Sequence, residues 1–138
     1  MLDFFKKKQE EFWKKYGKDD NAANELIGKE LGLNEKVIEL LEHKGIDRCP
    51  KSEWENNFPL MIFAYADYRV APCGVVSLKE RIDEYAKRNA FHLDKKKMEF
   101  SKKFEKFSIE LEKELFSHIK IKPSDINDES TKEFVGKY

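Results

Sequence analysis

This sequence is short of the residues that make loops, cross-links and long-range fields. Six glycines and four prolines in 138 residues are too few turn-formers for a loop-rich or all-β fold. Lysine plus arginine equals aspartate plus glutamate at 27 each. The formal net charge is therefore zero, and no global field draws the chain to nucleic acid or to an acidic membrane. The longest apolar run, around Leu60 to Ala66, is far below the length of a bilayer span. Only Cys49 and Cys73 carry thiols, and neither belongs to a C-x-x-C unit. They could pair or join histidines on a metal, but two ordinary thiols is the plain reading. With no secretory stretch in view, the expected setting is the reducing cytoplasm.

Charge and helical apolar patterning are what the sequence has in quantity. Charged residues make up 39% and hydrophobic ones 40%, the balance of a helical protein with heavily charged outer faces. The length fits one domain over residues 1–138 with a modest core. The expectation is an all-α fold, a single bundle of about six to seven helices.

Leu2, Phe5, Gln9, Phe12, Trp13 and Tyr16 lie close to one face of a first helix, which Gly17 ends. Asp20 or Asn21 is read as the cap of a second helix running to Leu31 and stopping at Gly32. Asn34 opens a third, with Val37, Ile38, Leu40 and Leu41 as its buried stripe and Gly45 as its end. His43 sits in its last turn, where an imidazolium suits the helix C-terminus. Asp47 to Pro50 reads as a turn, Lys51 to Glu53 as a short helical turn, and Trp54 as packing against the core.

The stretch from Asn57 to Arg88 organises the rest. Leu60, Met61, Ile62, Phe63, Ala64, Tyr65, Ala66 and Val70 make a segment apolar on almost every side. That is the pattern of a helix through the middle of a domain, entered through Pro59 in its first turn. One carboxylate, Asp67, interrupts it. A half-buried Asp needs a cation or donors beside it. Arg69, two positions on, points elsewhere on a helix, which leaves a metal or donors from another helix.

After a break over residues 71–76, Ser77 and Glu80 have the spacing of a capping box. From about Leu93 to Ile119 a long amphipathic helix carries Met98, Phe100, Phe104, Phe107, Leu111, Leu115 and His118 or Ile119. Its lysine clusters interleave with glutamates, the mark of a solvated face rather than a surface for nucleotide or RNA. His92 and His118 stand at opposite ends of it and cannot share a metal. The acidic residues Asp125, Asp128 and Glu129 lack the spacing and the glycine of a calcium loop. A short last segment to Tyr138 is expected to pack Phe134 and Val135 back on the body.

The run Ala66-Asp67-Tyr68-Arg69-Val70, followed after a Pro/Gly loop by Val76 to Arg81, resembles the last motif of the HD-domain metal-dependent phosphohydrolases. The resemblance implies an HD-like bundle in which Asp67 is the final metal ligand. Asn21 then takes the place of an expected histidine, and His43 lies near where the family often has a His for phosphate or a second metal. Arg69 and Arg81 would bind phosphate through bidentate hydrogen bonds. The implied cofactor is a divalent metal (Mn, Mg, Ni or Fe) if the site is functional, and otherwise none. Read from the residues alone, Asn21 is a cap, His43 serves the helix end, and Arg69 and Arg81 pair with Glu or Asp inside the fold.

The family's His-Asp pair is missing. It would lie upstream of the first helix, so the expectation is a domain lacking the N-terminal helices of a full HD domain. The expected function is accordingly that of a relative of phosphohydrolases acting on nucleotides or other phosphate esters, weak or inactive as it stands. The alternative is a non-catalytic helical nucleotide- or protein-binding module. A third reading is a helical adaptor unrelated to HD proteins, with Asp67 in a buried salt bridge. Expected partners are a small phosphate-containing ligand and a second copy of the chain through exposed apolar surface, with no nucleic acid and no membrane.

Overall fold

The computed structural model describes residues 2–43, 51–89 and 95–134. They fall into two compact units, one within residues 1–49 and one within 50–138. The fold is all-α: the described residues form eight α-helices, a 3-10 turn and a minimal β-hairpin. The helix number exceeds the expected one because two of the eight, Lys51–Trp54 and Asp128–Thr131, are single turns. No helix of the described residues is long and apolar enough to cross a membrane.

The first unit holds α1 (Leu2–Tyr16), α2 (Asp20–Glu30) and α3 (Glu35–His43). Gly17 and Gly32 end the first two helices with φ of 84° and 69°, the left-handed conformation that glycine adopts without strain. The cap of α2 is Asp19 rather than Asp20 or Asn21: its Oδ1 accepts from the Ala22 N–H at 2.8 Å. The helix starts one residue earlier than its apolar pattern, which moves the cap back with it. Asn34 caps α3 as expected, accepting from the Val37 N–H at 3.0 Å. Gly28, buried in mid-helix, lets α2 and α3 approach. A Cβ there would stand 2.8 Å from Ile38 Cδ1 and 2.9 Å from Leu41 Cδ1.

The second unit holds α4 (Lys51–Trp54), α5 (Phe58–Arg69), the strands β1 (Val70–Ala71) and β2 (Gly74–Val75), α6 (Leu78–Asn89) and α7 (Lys95–Ser117). The 3-10 turn Pro123–Asp125 and α8 (Asp128–Thr131) follow. Its core forms where α5, α6 and α7 pack together. The helix α5 buries Leu60, Met61, Ala64, Tyr65, Tyr68 and Arg69, a single face by helical spacing. Ile62, Ala66 and Asp67 lie exposed on its other side. The expectation of a helix apolar on almost every side and running through the middle of the domain is corrected in its burial: α5 packs by one face, and its outer face is merely less polar than usual.

On α7 the expected stripe is buried at Phe104, Leu111 and Leu115, while Met98 and His118 fall outside it. Ser108 joins the core, its hydroxyl satisfied by donation to the Phe104 carbonyl at 2.6 Å. Trp54, 2% exposed, stands edge-on to Phe107 at 5.5 Å, and Tyr68 stands edge-on to Phe104 at 5.0 Å. Both pairs have the geometry that aromatic quadrupoles favour.

The break after α5 is an antiparallel hairpin, with Val70 opposite Val75 and Ala71 opposite Gly74. Phe134, beyond the end of α8 at Thr131, is exposed rather than packed back. Val135, like Gly45, Cys49, His92, Leu93 and the Asp47-to-Pro50 turn, lies outside the described residues.

Candidate functional site

The last turn of α5 brings a guanidinium into the interior of the second unit. Arg69 is 4% exposed, and a charge so placed needs acceptors for its donors. Its Nε donates to the Val76 carbonyl at 2.5 Å and its Nη2 to the Ile126 carbonyl at 2.6 Å. Its Nη1 donates to the Tyr65 hydroxyl at 2.5 Å and to the Pro123 carbonyl at 3.1 Å. One side chain thus ties the helix to the exit of the hairpin and to the 3-10 turn.

The counter-charge arrives through a phenol. Tyr65, one turn before Arg69, donates its hydroxyl to Glu112 Oε2 of α7 at 2.6 Å. Burial, and then the bond to Glu112, push the Tyr65 hydroxyl well above the ordinary tyrosine range, with Arg69 acting the other way. The phenol stays protonated, so it accepts from Arg69 while donating to Glu112.

A cleft of about 390 Å3 opens beside this network, with Arg69, Lys79, Glu80, Glu112, Ser124 and Asn127 among its walls. Most of those polar groups are already bonded within the chain. Glu80 accepts from the Ser77 N–H at 2.8 Å and from the Ser77 hydroxyl at 2.7 Å, and its own N–H donates to Ser77 Oγ at 3.2 Å. This is the capping box expected from the sequence, and the bonds from Ser77 hold the Glu80 carboxyl below the usual carboxylate range. Asn127 Oδ1 accepts from the Glu129 and Ser130 N–H groups. Asp128 Oδ1 accepts from the Val75 N–H at 2.7 Å. The arrangement is that of a structural lock.

The other residues singled out in the sequence fall as follows. Asp67 is exposed, which corrects the expectation of a buried carboxylate in need of compensation; three positions after the buried Ala64, it sits at the edge of the packed face of α5. Arg69 reaches the Glu112 carboxylate through Tyr65 and acts on the Glu80 carboxylate through space. Arg81 pairs with Glu84 one turn on, and Glu84 also meets Arg88 at 3.3 Å. Asn21 is half-buried in the first turn of α2. His43 Nδ1 stands 2.9 Å from the Glu39 carbonyl in the last turn of α3, consistent with its helix-end reading. Asn21 and His43 belong to the first unit, and Asp67, Arg69 and Arg81 to the second. Among the described residues, no three His, Cys, Asp or Glu side chains are grouped as a metal ion would need.

Sequence reasoning missed two features. The Tyr65–Arg69 pair had a readable signal, an i, i+4 spacing on an apolar helix. The other concerns α1, whose apolar positions the sequence places close to one helical face without showing whether anything covers them. It buries no residue at all: Leu2 is 72% exposed, Phe4 60%, Phe5 63% and Phe12 41%. Only Trp13 and Tyr16 are half-buried. Its C-terminal end is anchored by Lys15 Nζ and Tyr16 Oη, which meet Glu30 Oε2 at 2.8 Å and 2.7 Å and hold that carboxyl below its usual range. Phe4 and Phe5 stand edge-on to each other at 5.7 Å. Lys8 pairs with Glu11 at 2.8 Å.

No family model matches this chain, and neither a curated protein nor a solved structure matches it.

Proposed function

We propose that this chain is a non-catalytic helical module that acts by binding protein through α1. The observation that carries the reading is the outward placement of Leu2, Phe4, Phe5 and Phe12 on a helix that buries no residue. Each large apolar side chain left in water forgoes about 1.5–3 kcal/mol of burial, so a partner that covers them gains what folding left unrealised. The lysines and glutamates around them supply the polar rim of such a contact. The bonding of Arg69 and Glu80 within the chain favours the same reading over ligand capture in the cleft.

The Ala66–Val70 run favours a second reading, a metal-dependent phosphohydrolase of HD type acting on nucleotides or other phosphate esters. In that reading Asp67 would ligate a divalent Mn, Mg, Ni or Fe ion. It ranks second because no further ligands gather with Asp67 among the described residues.

Two comparisons of variants with wild type test the preference. Wild type and Asp67→Ala are compared by elemental analysis and by hydrolysis of chromogenic phosphate mono- and diesters with Mn, Mg, Ni or Fe. Equal background rates and no stoichiometric metal are expected, whereas metal or turnover lost in Asp67→Ala overturns the proposal. Fluorescence of a hydrophobic dye is then compared between wild type and Phe4→Ser/Phe5→Ser, with helicity checked by circular dichroism. A fall in dye signal is expected, and no change would mean that the face is not available to a partner.

A further inference from the structure

We infer that the partner of α1 is α1 of a second copy of this chain, laid antiparallel across a two-fold axis at Gln9. The inference rests on the binding reading above and names its occupant. Phe5, Lys8 and Phe12 recur at steps of three and four and so share a helical face, with Phe4 and Glu11, seven apart, running beside them. The midpoints of Phe5 with Phe12 and of Lys8 with Glu11 both fall within one residue of Gln9.

A two-fold axis there brings Phe5 to within one residue of level with Phe12 of the second copy, and Lys8 to within one residue of level with its Glu11, both inside side-chain reach. Symmetry makes each contact twice. Parallel pairing would instead set Lys8 against Lys8 and Glu11 against Glu11.

Charge complementarity with itself is what selects a second copy over an unrelated protein. Residues 6–11 read Lys-Lys-Lys-Gln-Glu-Glu, a block whose charge reverses sign about Gln9. At a two-fold axis a residue meets its own copy. A charged side chain would repel itself there, whereas a glutamine amide both donates and accepts. Gln9 is the one uncharged residue of the block. With 15 residues the helix is about 22 Å long. A single pair of such helices lies at the small end of interface sizes, and the association is accordingly weak and reversible.

The test is a charge swap read by sedimentation velocity on the full chain. Lys8→Glu leaves two glutamates at positions 8 and 11, and Glu11→Lys leaves two lysines. Each variant alone should self-associate about tenfold more weakly than wild type. An equimolar mixture should recover association, because every Glu then faces a Lys of the other variant. Only pairing between copies produces recovery on mixing; a change within one helix does not.

Wild type that stays monomeric at about 100 µM, or a mixture no tighter than its components, overturns the inference. If monomer is found while the dye signal still falls in Phe4→Ser/Phe5→Ser, the second copy is excluded and the protein-binding reading stands. If the dye signal is unchanged as well, both fail.

Discussion

Arg69 donates from Nη1 to the Tyr65 hydroxyl at 2.5 Å while its guanidinium carbon stands 5.4 Å from the centre of the same ring. The residues are one helical turn apart, and the pair continues to Glu112 on α7. A buried cation, a neutral phenol and a carboxylate therefore hold α5 to α7, with three main-chain carbonyls completing the cation's shell.

Arg69→Met is expected to destabilise the second unit by about 3–5 kcal/mol, because it leaves the carbonyls of Val76, Pro123 and Ile126 without their donor. Arg69→Lys keeps the charge but not the fork of donors and should cost about 2–3 kcal/mol. Urea denaturation measures both. Unchanged stability in Arg69→Lys would return this arginine to the list of free phosphate ligands.

Tyr65→Phe should cost about 1–2 kcal/mol at neutral pH through the stranded Glu112 and Nη1 partners. It should also change the alkaline limb of stability. The folded state holds the Tyr65 proton more tightly than the unfolded chain does. This contribution is complete below the ordinary tyrosine value of 10.0 and is lost as the pH rises above it. Denaturation at about pH 9 and pH 11 should show a steeper fall for wild type than for Tyr65→Phe.

The acid limb has the opposite sign. Glu80 is held below the ordinary carboxylate value of 4.5 by its bonds from Ser77. Its contribution is present above that value and disappears as the pH falls through the lower folded one. Thermal midpoints between about pH 6 and pH 3 should therefore drop more for wild type than for Glu80→Gln. Equal slopes would mean that the capping box does not persist in solution.

Gly74 adopts φ of 123°, and a Cβ on it would stand 2.5 Å from Asp128 Oδ2. Gly74→Ala should cost about 1–3 kcal/mol from backbone strain and the collision together. In an Asp128→Ala background only the strain remains, so the double variant should lose less than the sum of the singles. Strict additivity in the denaturation cycle would place the whole cost in the backbone.

What the sequence determined by itself is everything set by neighbours along the chain. Asn34, Ser77 and Glu80 cap helices through bonds to residues three positions away, Gly17 and Gly32 stop them, and steps of three and four mark Phe104, Leu111 and Leu115 for burial. Such features depend on local geometry, and a single helix or turn suffices to express them.

The tertiary structure decided the rest. Arg69 became a buried lock because carbonyls 54 and 57 positions away arrive beside it. Asp67 turned outward because the face of α5 that packs is chosen by α6 and α7, and an apolar outer face disguises that choice. The dipeptide strands are too short to write an alternating pattern, and Glu112 gives no sign in sequence that a phenol will reach it. On α1 the apolar stripe was legible, but its exposure was not, since periodicity says which residues share a face and only packing says whether anything covers it.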